Sequence, residues 1–463
     1  MKRIETFLNS GLYIAIIFLI TFVSWTMYED TPPYAFNLYL MMGMFFLITI
    51  NTIILISYRN TLYILPTVIS LVFVINKSDM TFDTIASLGF PILALSIFFV
   101  GPMVHIIRFK PVFRRGVFFF GFLLIAISYL IPLVYIPFDI RSIPVSLVAT
   151  FYLGFYVFMT STLQANLNYL FKNMMFANLL LTFQVFFYLY QGYLLNPDLD
   201  IYHRIFIGWG RNLGWANIND MCFYIALTFP SYLYFIFKKP NTYLLWLLMI
   251  LPTAAVILSK SRGGIIGYAV VIVGVVLFFL WKGNKKHLTH GLVALLVAGI
   301  LSYIGREIFY LWYDELILSF GNNINDFSSN RLYIYENAWN VFKQYPLFGG
   351  GWISIFSFPF SGRIFMYHST IFQALAAMGL FGLFALIVHY TQILKYMLKH
   401  ATLEKYLFLI GYLATQVHGL IDNVQYAVPY SGWIALILVM FETSSQQTLF
   451  EEVNERYHLI STT

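Results

Sequence analysis

Hydrophobicity in this chain comes in parcels of one size. Fourteen apolar runs follow one another, starting near Leu12, Leu38, Leu62, Thr84, Gly116, Val145, Met174, Asn219, Thr242, Gly263, Gly291, His368, Tyr406 and Ala427. Roughly 20 apolar residues wound as an α-helix cross the hydrocarbon of a bilayer. Lipid offers no partner to backbone N–H and C=O groups, so such runs fold as helices. Only 10% of the residues are charged, against about 25% in a soluble globule. The expected fold class is therefore all-α, a polytopic transmembrane helical bundle of about 14 spans. Fourteen is favoured and 12 to 14 is tolerable, because the run from Leu62 to Ile75 is short enough to be tilted or re-entrant. No small-residue cleavage site follows the first run, which reads as an uncleaved first span. With no Gly/Ser linker, low-complexity tract or visible repeat, residues 1–463 read as a single integral membrane domain.

The basic residues orient the bundle, since cytoplasmic loops carry the Lys/Arg excess. With the N-terminus inside, the inner loops hold Lys2, Arg3, Arg59, Arg108, Lys110, Arg114, Arg115, Lys172, Lys238, Lys239, Lys282, Lys285, Lys286, Lys395, Lys399, Lys405 and Arg456, 17 of the 27 Lys and Arg residues. A count of 13 spans would put the C-terminus outside and break this alternation. Both termini are thus expected in the cytoplasm. The net charge of +7 is mostly a topology signal. Spread over short loops, it builds no basic face for nucleic acid. The lone cysteine, Cys222, excludes an internal disulfide.

Two breaks exceed what a connection needs, and both fall on the outer side: residues 196–217 and residues 309–367. In the second, Ser328 and Ser329 can cap a helix whose apolar positions Leu332, Tyr335, Trp339 and Phe342 recur every three to four residues. The expectation is an amphipathic helix across the membrane surface, ended by Pro346 and by Gly349, Gly350 and Gly351.

Polar residues with chemical potential gather at these breaks. Arg211 follows Gly208, Trp209 and Gly210, Arg262 stands in SKSRGG at the outer mouth of a helix, and Arg331 opens the surface helix. Arginine's planar fork binds phosphate at two points, so three outward arginines near interrupted helices can clamp a pyrophosphate. Each alone is equally well read as a helix-end anchor with its stem along apolar surface. His368 opens a long apolar helix directly after the larger loop. A helix N-terminus and nearby arginines disfavour imidazolium, and a neutral imidazole accepts a proton from a sugar hydroxyl. By position alone it is also an interfacial polar anchor. Asp198-Leu199-Asp200 spells the Asp-x-Asp with which many nucleotide-sugar transferases hold a divalent cation. On the outer side, where nucleotide sugars are normally absent, it reads as solvated loop acids. His418 and Asp422, at another outer helix end, read as helix-end polar contacts or as groups supporting the site from behind, with the former favoured. A transporter, such as a lipid-linked oligosaccharide flippase, would place ionisable groups near the midplane. The plainest such groups here, Asp83 and His389, have no evident partners in the sequence. A scaffold protein would leave the outer arginines and histidine unexplained.

Four stretches in order carry a resemblance. His368-Ser369, nine residues and then Gly379-Leu380-Phe381-Gly382 fit a pattern of His, Asn/Ser/Gln, nine residues, Gly, two residues, then Gly/Thr/Tyr. SRGGIIG begins at Ser261, RLYIYENAWNVFKQYPLFGGG at Arg331 and RNLGWANIND at Arg211. Together they resemble the O-antigen ligase and O-antigen polymerase superfamily, well over residues 205–385 and by hydropathy alone over the N-terminal half. The resemblance implies a GT-C-like membrane glycosyltransferase of the bacterial cytoplasmic membrane, with a large extracytoplasmic loop and an extracytoplasmic active site. It implies transfer of a glycan from undecaprenyl pyrophosphate to an acceptor hydroxyl without nucleotide sugar, cofactor or metal. Membrane lipids, and other polysaccharide export and assembly proteins, are the expected surroundings. On that footing His368, Arg262 and Arg211 are catalytic. The arginines hold the pyrophosphate and offset charge on the leaving group, while His368 orients or deprotonates the attacking hydroxyl, with inversion. Arg331 positions donor or acceptor, and Tyr367 stacks on a sugar. The acceptor stays open between another lipid-linked repeat unit, for a polymerase, and lipid A core, peptidoglycan or protein, for a ligase. A composition rich in Ile, Phe, Tyr, Asn and Lys suggests an AT-rich bacterial genome. No extra soluble C-terminal domain of the protein-glycosylating kind is seen, and a polymerase is the favoured expectation.

Overall fold

A computed structural model describes residues 2–26, 38–75, 89–137, 142–195, 218–239, 242–259, 261–307, 331–352 and 367–461, together with 310, 313, 314, 317 and 354. Each of the fourteen runs meets a helix or a broken helix. Helices α1 (Lys2–Leu8), α2 (Gly11–Thr26) and α3 (Leu38–Ser57) lead into a 3-10 turn, Thr61–Ile64, and α4 (Leu65–Ile75). There follow α5 (Gly89–Phe109), α6 (Phe119–Leu130), α7 (Ser142–Thr162) and α8 (Leu167–Leu195). The next two runs are each broken, into α9 (Ile218–Thr228) and α10 (Ser231–Lys238), then α11 (Tyr243–Leu248) and α12 (Ile250–Leu258). Pro230 and Pro252 explain both breaks, since a proline ring clashes with the carbonyl four residues back and donates no hydrogen bond. The series ends with α13 (Arg262–Lys282), α14 (Lys285–Ile304), α15 (Arg331–Gln344), α16 (Thr370–Leu398), α17 (Leu403–Gly419) and α18 (Val428–Ser461). No strand occurs among the described residues. Six stretches, Val145–Thr162, Leu167–Phe187, Asn219–Lys238, Arg262–Lys282, Lys285–Ile304 and Thr370–Leu398, are long and apolar enough to cross a membrane. The chain is an all-α, polytopic integral membrane protein.

Burial separates the axis of the bundle from its rim. Met221, Tyr224, Leu227 and Tyr232 on α9 and α10 are all fully enclosed. By contrast α14 leaves Leu292, Leu295 and Leu296 at least 65% exposed, a surface that suits lipid and not water. Tight connections such as Gly283-Asn284 make successive helices run in opposite directions. One end of the bundle therefore collects the lysines: Lys238 pairs with Glu404 at 3.2 Å, and Lys405 donates to the Lys399 carbonyl at 3.0 Å. At the opposite end α9, α13 and α16 begin and α17 finishes.

Two glycine-rich stretches shape that second end. In SRGGIIG the glycines let α13 close on α9 and α17: a Cβ on Gly263 would meet His418 Nε2 at 2.8 Å, and one on Gly264 would meet the Cys222 Cβ at 2.5 Å. The second stretch interrupts α16. Gly379 adopts φ 64 and ψ −159 inside the helix, a region open essentially to glycine alone. The groups freed by this break are met by the segment after α15. Leu380 and Phe381 N–H donate to the Pro346 and Leu347 carbonyls at 2.9 and 3.0 Å. Gly350 and Gly351 N–H donate to the Ala376 and Ala377 carbonyls at 2.7 and 3.1 Å. Neither Gly349 nor Gly379 has room for a Cβ, which would lie 2.2 Å from Met378 N and 2.5 Å from the Leu347 carbonyl carbon respectively.

Helix α15 falls within the second long break, after Ser328 and Ser329. It buries Ala338 and Val341 against α16 and stacks Tyr335 on Phe372 at 4.5 Å. Leu332 and Trp339, on its apolar stripe, are 41% and 46% exposed. The small Ala338 facing Ala376 permits a close helix approach that bulky residues would prevent. The capping pair Ser328 and Ser329 lies outside the described residues.

Candidate functional site

Asp422 is the hub of the site. It follows α17 in a short turn, where Asn423 N–H donates to its Oδ1 at 2.8 Å. His368 Nδ1 lies 3.2 Å from the same oxygen. On Oδ2, Asn219 Nδ2 donates at 2.9 Å, and Arg331 Nη2 stands 3.6 Å away. A second arginine nitrogen, Nη1 of Arg331, donates to the Ile421 carbonyl. Asn219 is held in turn by Ser261, whose Oγ donates to Asn219 Oδ1 while accepting from Gly264 N–H at 2.9 Å as the N-cap of α13. One hydrogen-bonded chain thus links the starts of α9, α13 and α15, the approach to α16 and the end of α17.

Burial by itself would raise the Asp422 carboxyl. The hydrogen bond from His368 and the nearby His368, His418 and Arg331 side chains outweigh it, holding the carboxyl down at about 2. It is a carboxylate throughout the physiological range. Because that acceptor takes the proton on Nδ1, the other ring nitrogen of His368, Nε2, is the one free to act as a base. The His368 side chain is 25% exposed and Asp422 only 9%, so the imidazole faces outward and the carboxylate inward.

The turn that presents His368 is strained and well supported. His368 has φ 46, a left-handed conformation that costs a non-glycine residue about 1–3 kcal/mol and recurs at functional sites. Its carbonyl accepts from the Tyr335 hydroxyl at 2.8 Å. Next to it, Tyr367 N–H donates to Gln373 Oε1 at 3.0 Å, and the Tyr367 hydroxyl lies 3.1 Å from Ser354 Oγ. The Tyr367 ring is only 1% exposed, and burial pushes its hydroxyl up to about 12, against a lowering by the Ser354 contact. The expectation that Tyr367 offers its ring to a sugar therefore needs correction: the ring is packed inside and props the His368 turn.

Among the expected arginines, Arg331 is tied to Asp422 and Ile421, and Arg262 begins α13 near enough for its charge to act on that of Arg331. Two cations, with the positive ends of α13 and α15, make this end of the bundle attractive to an anion. Arg211, Asp198, Asp200 and Asp83 lie outside the described residues. His389 is buried edge-on to Phe122 at 4.8 Å, and neither ring nitrogen has a hydrogen-bond partner among the described residues. The sequence reading passed over Asn219 and took Asp422 for a helix-end contact. Their only sequence signals are an Asn within RNLGWANIND and a lone acid at an outer helix end.

Residues 247–387 match a family model described as O-antigen ligase. This stretch is similar to an O-antigen ligase domain. This domain holds Arg262, Arg331, His368 and the Gly379 break, and stops short of both Asn219 and Asp422. It supports a ligase- or polymerase-type reaction on lipid-linked glycans within a membrane. No curated protein matches the chain.

Proposed function

We propose that this chain is a surface-polysaccharide polymerase. It transfers a glycan from undecaprenyl pyrophosphate to a sugar hydroxyl of another lipid-linked repeat unit on the extracytoplasmic face of the bacterial cytoplasmic membrane. The observation that carries the reading is the His368–Asp422 pair, 3.2 Å apart, beside Arg331 and the N-terminus of α13. In the reaction His368 Nε2 takes the proton of the acceptor hydroxyl as its oxygen attacks the anomeric carbon. Asp422 keeps Nδ1 protonated and offsets the positive charge that develops on the ring, as the carboxylate of a hydrolase triad does. The bond from the anomeric carbon to the pyrophosphate oxygen breaks on the opposite face, inverting the configuration. Undecaprenyl pyrophosphate leaves with the bonding electrons. Arg262, with Arg211 from the preceding outer segment, meets the charge gathered on that leaving group. Arg331 stiffens the pair through Asp422 and the Ile421 carbonyl and adds positive charge beside the substrates.

The description of the matched family as a ligase keeps a second reading beside the first, in which the same chemistry delivers a finished glycan to lipid A core, peptidoglycan or protein. Purified protein supplied with lipid-linked repeat unit as both donor and acceptor separates them. A polymerase builds a ladder of lengthened lipid-linked glycan and releases undecaprenyl pyrophosphate, and it does so in EDTA. His368→Ala binds the donor and releases none. A ladder that needs Mn²⁺ or Mg²⁺ would revive Asp198 and Asp200 as metal ligands, full activity of His368→Ala would remove the base, and no release from wild type would point to a transporter.

A further inference from the structure

The opposite end of the bundle holds a cavity of about 560 Å³, where α3, α5 and α7 finish and α8 begins. This is the end that the lysines assign to the cytoplasm, far from His368 and Asp422 and unused by the proposed reaction. Its lining includes Arg59, His105, Phe109, Arg114, Gln164 and Gln447, and contains no carboxylate among the described residues. The arginines come from different connections, Arg59 after α3 and Arg114 after α5. Neither is ion-paired with any described residue. The nearby carboxylate of Glu442 is turned away, accepting from the Tyr156 hydroxyl at 2.5 Å and from Val117 N–H at 2.9 Å. Two guanidinium groups flanking a cavity with no acid among its described lining residues make a site for an anion, and their planar donor forks suit phosphate.

Two further observations narrow the occupant. His105 is fully buried, and its Nδ1 lies 2.8 Å from the Leu55 carbonyl, which can only accept. The proton is thereby placed on Nδ1, and the neutral ring presents Nε2 as an acceptor, which is buried with no partner among the described residues. A donor is missing there, and an alcohol hydroxyl supplies one. The rim points to lipid as the source: between Lys110 and Arg115, Val112 is 77% and Phe113 52% exposed. Apolar side chains set among cationic ones at a helix-end loop are the composition of an interfacial membrane contact.

We propose that this cavity binds the headgroup of an anionic phospholipid, its phosphodiester between Arg59 and Arg114 and a headgroup hydroxyl donating to His105 Nε2. The test uses full-length protein stripped of lipid in neutral detergent, with bound lipid counted by native mass spectrometry. Phosphatidylglycerol binds saturably, and phosphatidylcholine binds at least about tenfold more weakly. Arg59→Gln combined with Arg114→Gln weakens phosphatidylglycerol by about tenfold or more, whereas the Arg59→Lys, Arg114→Lys pair, which keeps the charge, stays within about threefold to fivefold of wild type. His105→Phe keeps an aromatic ring and abolishes the preference for phosphatidylglycerol over phosphatidylmethanol, which lacks a headgroup hydroxyl. As a control, Lys282→Gln with Lys285→Gln, on the same end of the bundle, leaves binding unchanged. Equal weakening by that control would reduce the effect to general surface charge, and unchanged binding in the folded Arg→Gln pair would remove the site. Displacement of the lipid by an equal concentration of inorganic phosphate would make it a site for soluble anions.

Discussion

Replacing Asp422 by Asn preserves shape and removes charge at the hub of the site. Its Oδ1 faces His368 at 3.2 Å and its Oδ2 faces Arg331 at 3.6 Å. A hydrogen bond to a charged group contributes about 1.5–3 kcal/mol, which as lost transition-state stabilisation is roughly 10- to 150-fold in rate. The asparagine amide can also turn to donate to Nδ1, forcing the proton onto Nε2 and disabling the base. Loss of the orienting carboxylate in a hydrolase triad reaches about 10⁴ in turnover. The expected loss is therefore about 10² to 10⁴ in kcat, with the KM for donor little changed because Asp422 is buried beneath the base. Release of undecaprenyl pyrophosphate under donor saturation measures it. A stability readout checks the same geometry. The carboxyl sits at about 2 in place of 3.8, so the folded state favours its charged form by about 2 kcal/mol. That contribution is present above about pH 4 and lost as the pH falls through about 2. The stability gap between wild type and Asp422→Asn should be constant from neutral pH down to about 4 and shrink below it. Turnover of the Asn variant within about threefold of wild type, at equal folded protein, would return Asp422 to the status of a helix-end contact and sink the dyad.

Arg262→Lys and Arg211→Lys keep charge and lose the fork, and each should cost about 2–4 kcal/mol of transition-state stabilisation, read as kcat/KM; wild-type turnover would make that arginine a helix-end anchor. Gly379→Ala places a Cβ 2.5 Å from the Leu347 carbonyl carbon at φ 64, and should destabilise by at least about 2 kcal/mol in detergent unfolding. Gly299→Ala, with nothing within 4 Å of the added Cβ in the middle of α14, should be neutral or gain up to about 1 kcal/mol; equal effects of the two would refute the break in α16. With Cys222 replaced by Ala, single cysteines at Asn323 and Asn284 test sidedness: an impermeant thiol reagent should label position 323 and not 284 in intact cells, and the reverse would invert the topology.

The helices were readable because their cause is local. A run such as Gly263 to Lys282 fits a bilayer, and its backbone must bond to itself wherever it lies. The glycines of SRGGIIG and of the Gly349 to Gly351 stretch were readable as punctuation, and their role as contact surfaces was not, because the partner atoms of His418, Cys222 and Met378 are remote in the chain. Arg262, Arg331 and His368 stood out as polar residues at the ends of apolar runs, and the structure gathers them at one end of the bundle. Asp422 stood out only as one of a polar pair at an outer helix end, with nothing to tie it to His368, and Asn219 gave no signal beyond its place in a segment.

What the sequence determines by itself is therefore the class of fold, the series of helices and the end of the bundle that gathers arginine and histidine. These follow from lengths and from composition, which are properties of each segment taken alone. Tertiary structure decides the roll of each helix and the partners across it. Helices such as α13 and α14 are apolar on every side, so no stripe says which face turns inward; α15 does carry a stripe, and only packing selects Ala338, close to Ala376, as its buried contact while Leu332 and Trp339 stay exposed. The dyad depends on that packing: only when α17 lies against α9 and α13 does the turn after it carry Asp422 to Asn219, Arg331 and His368.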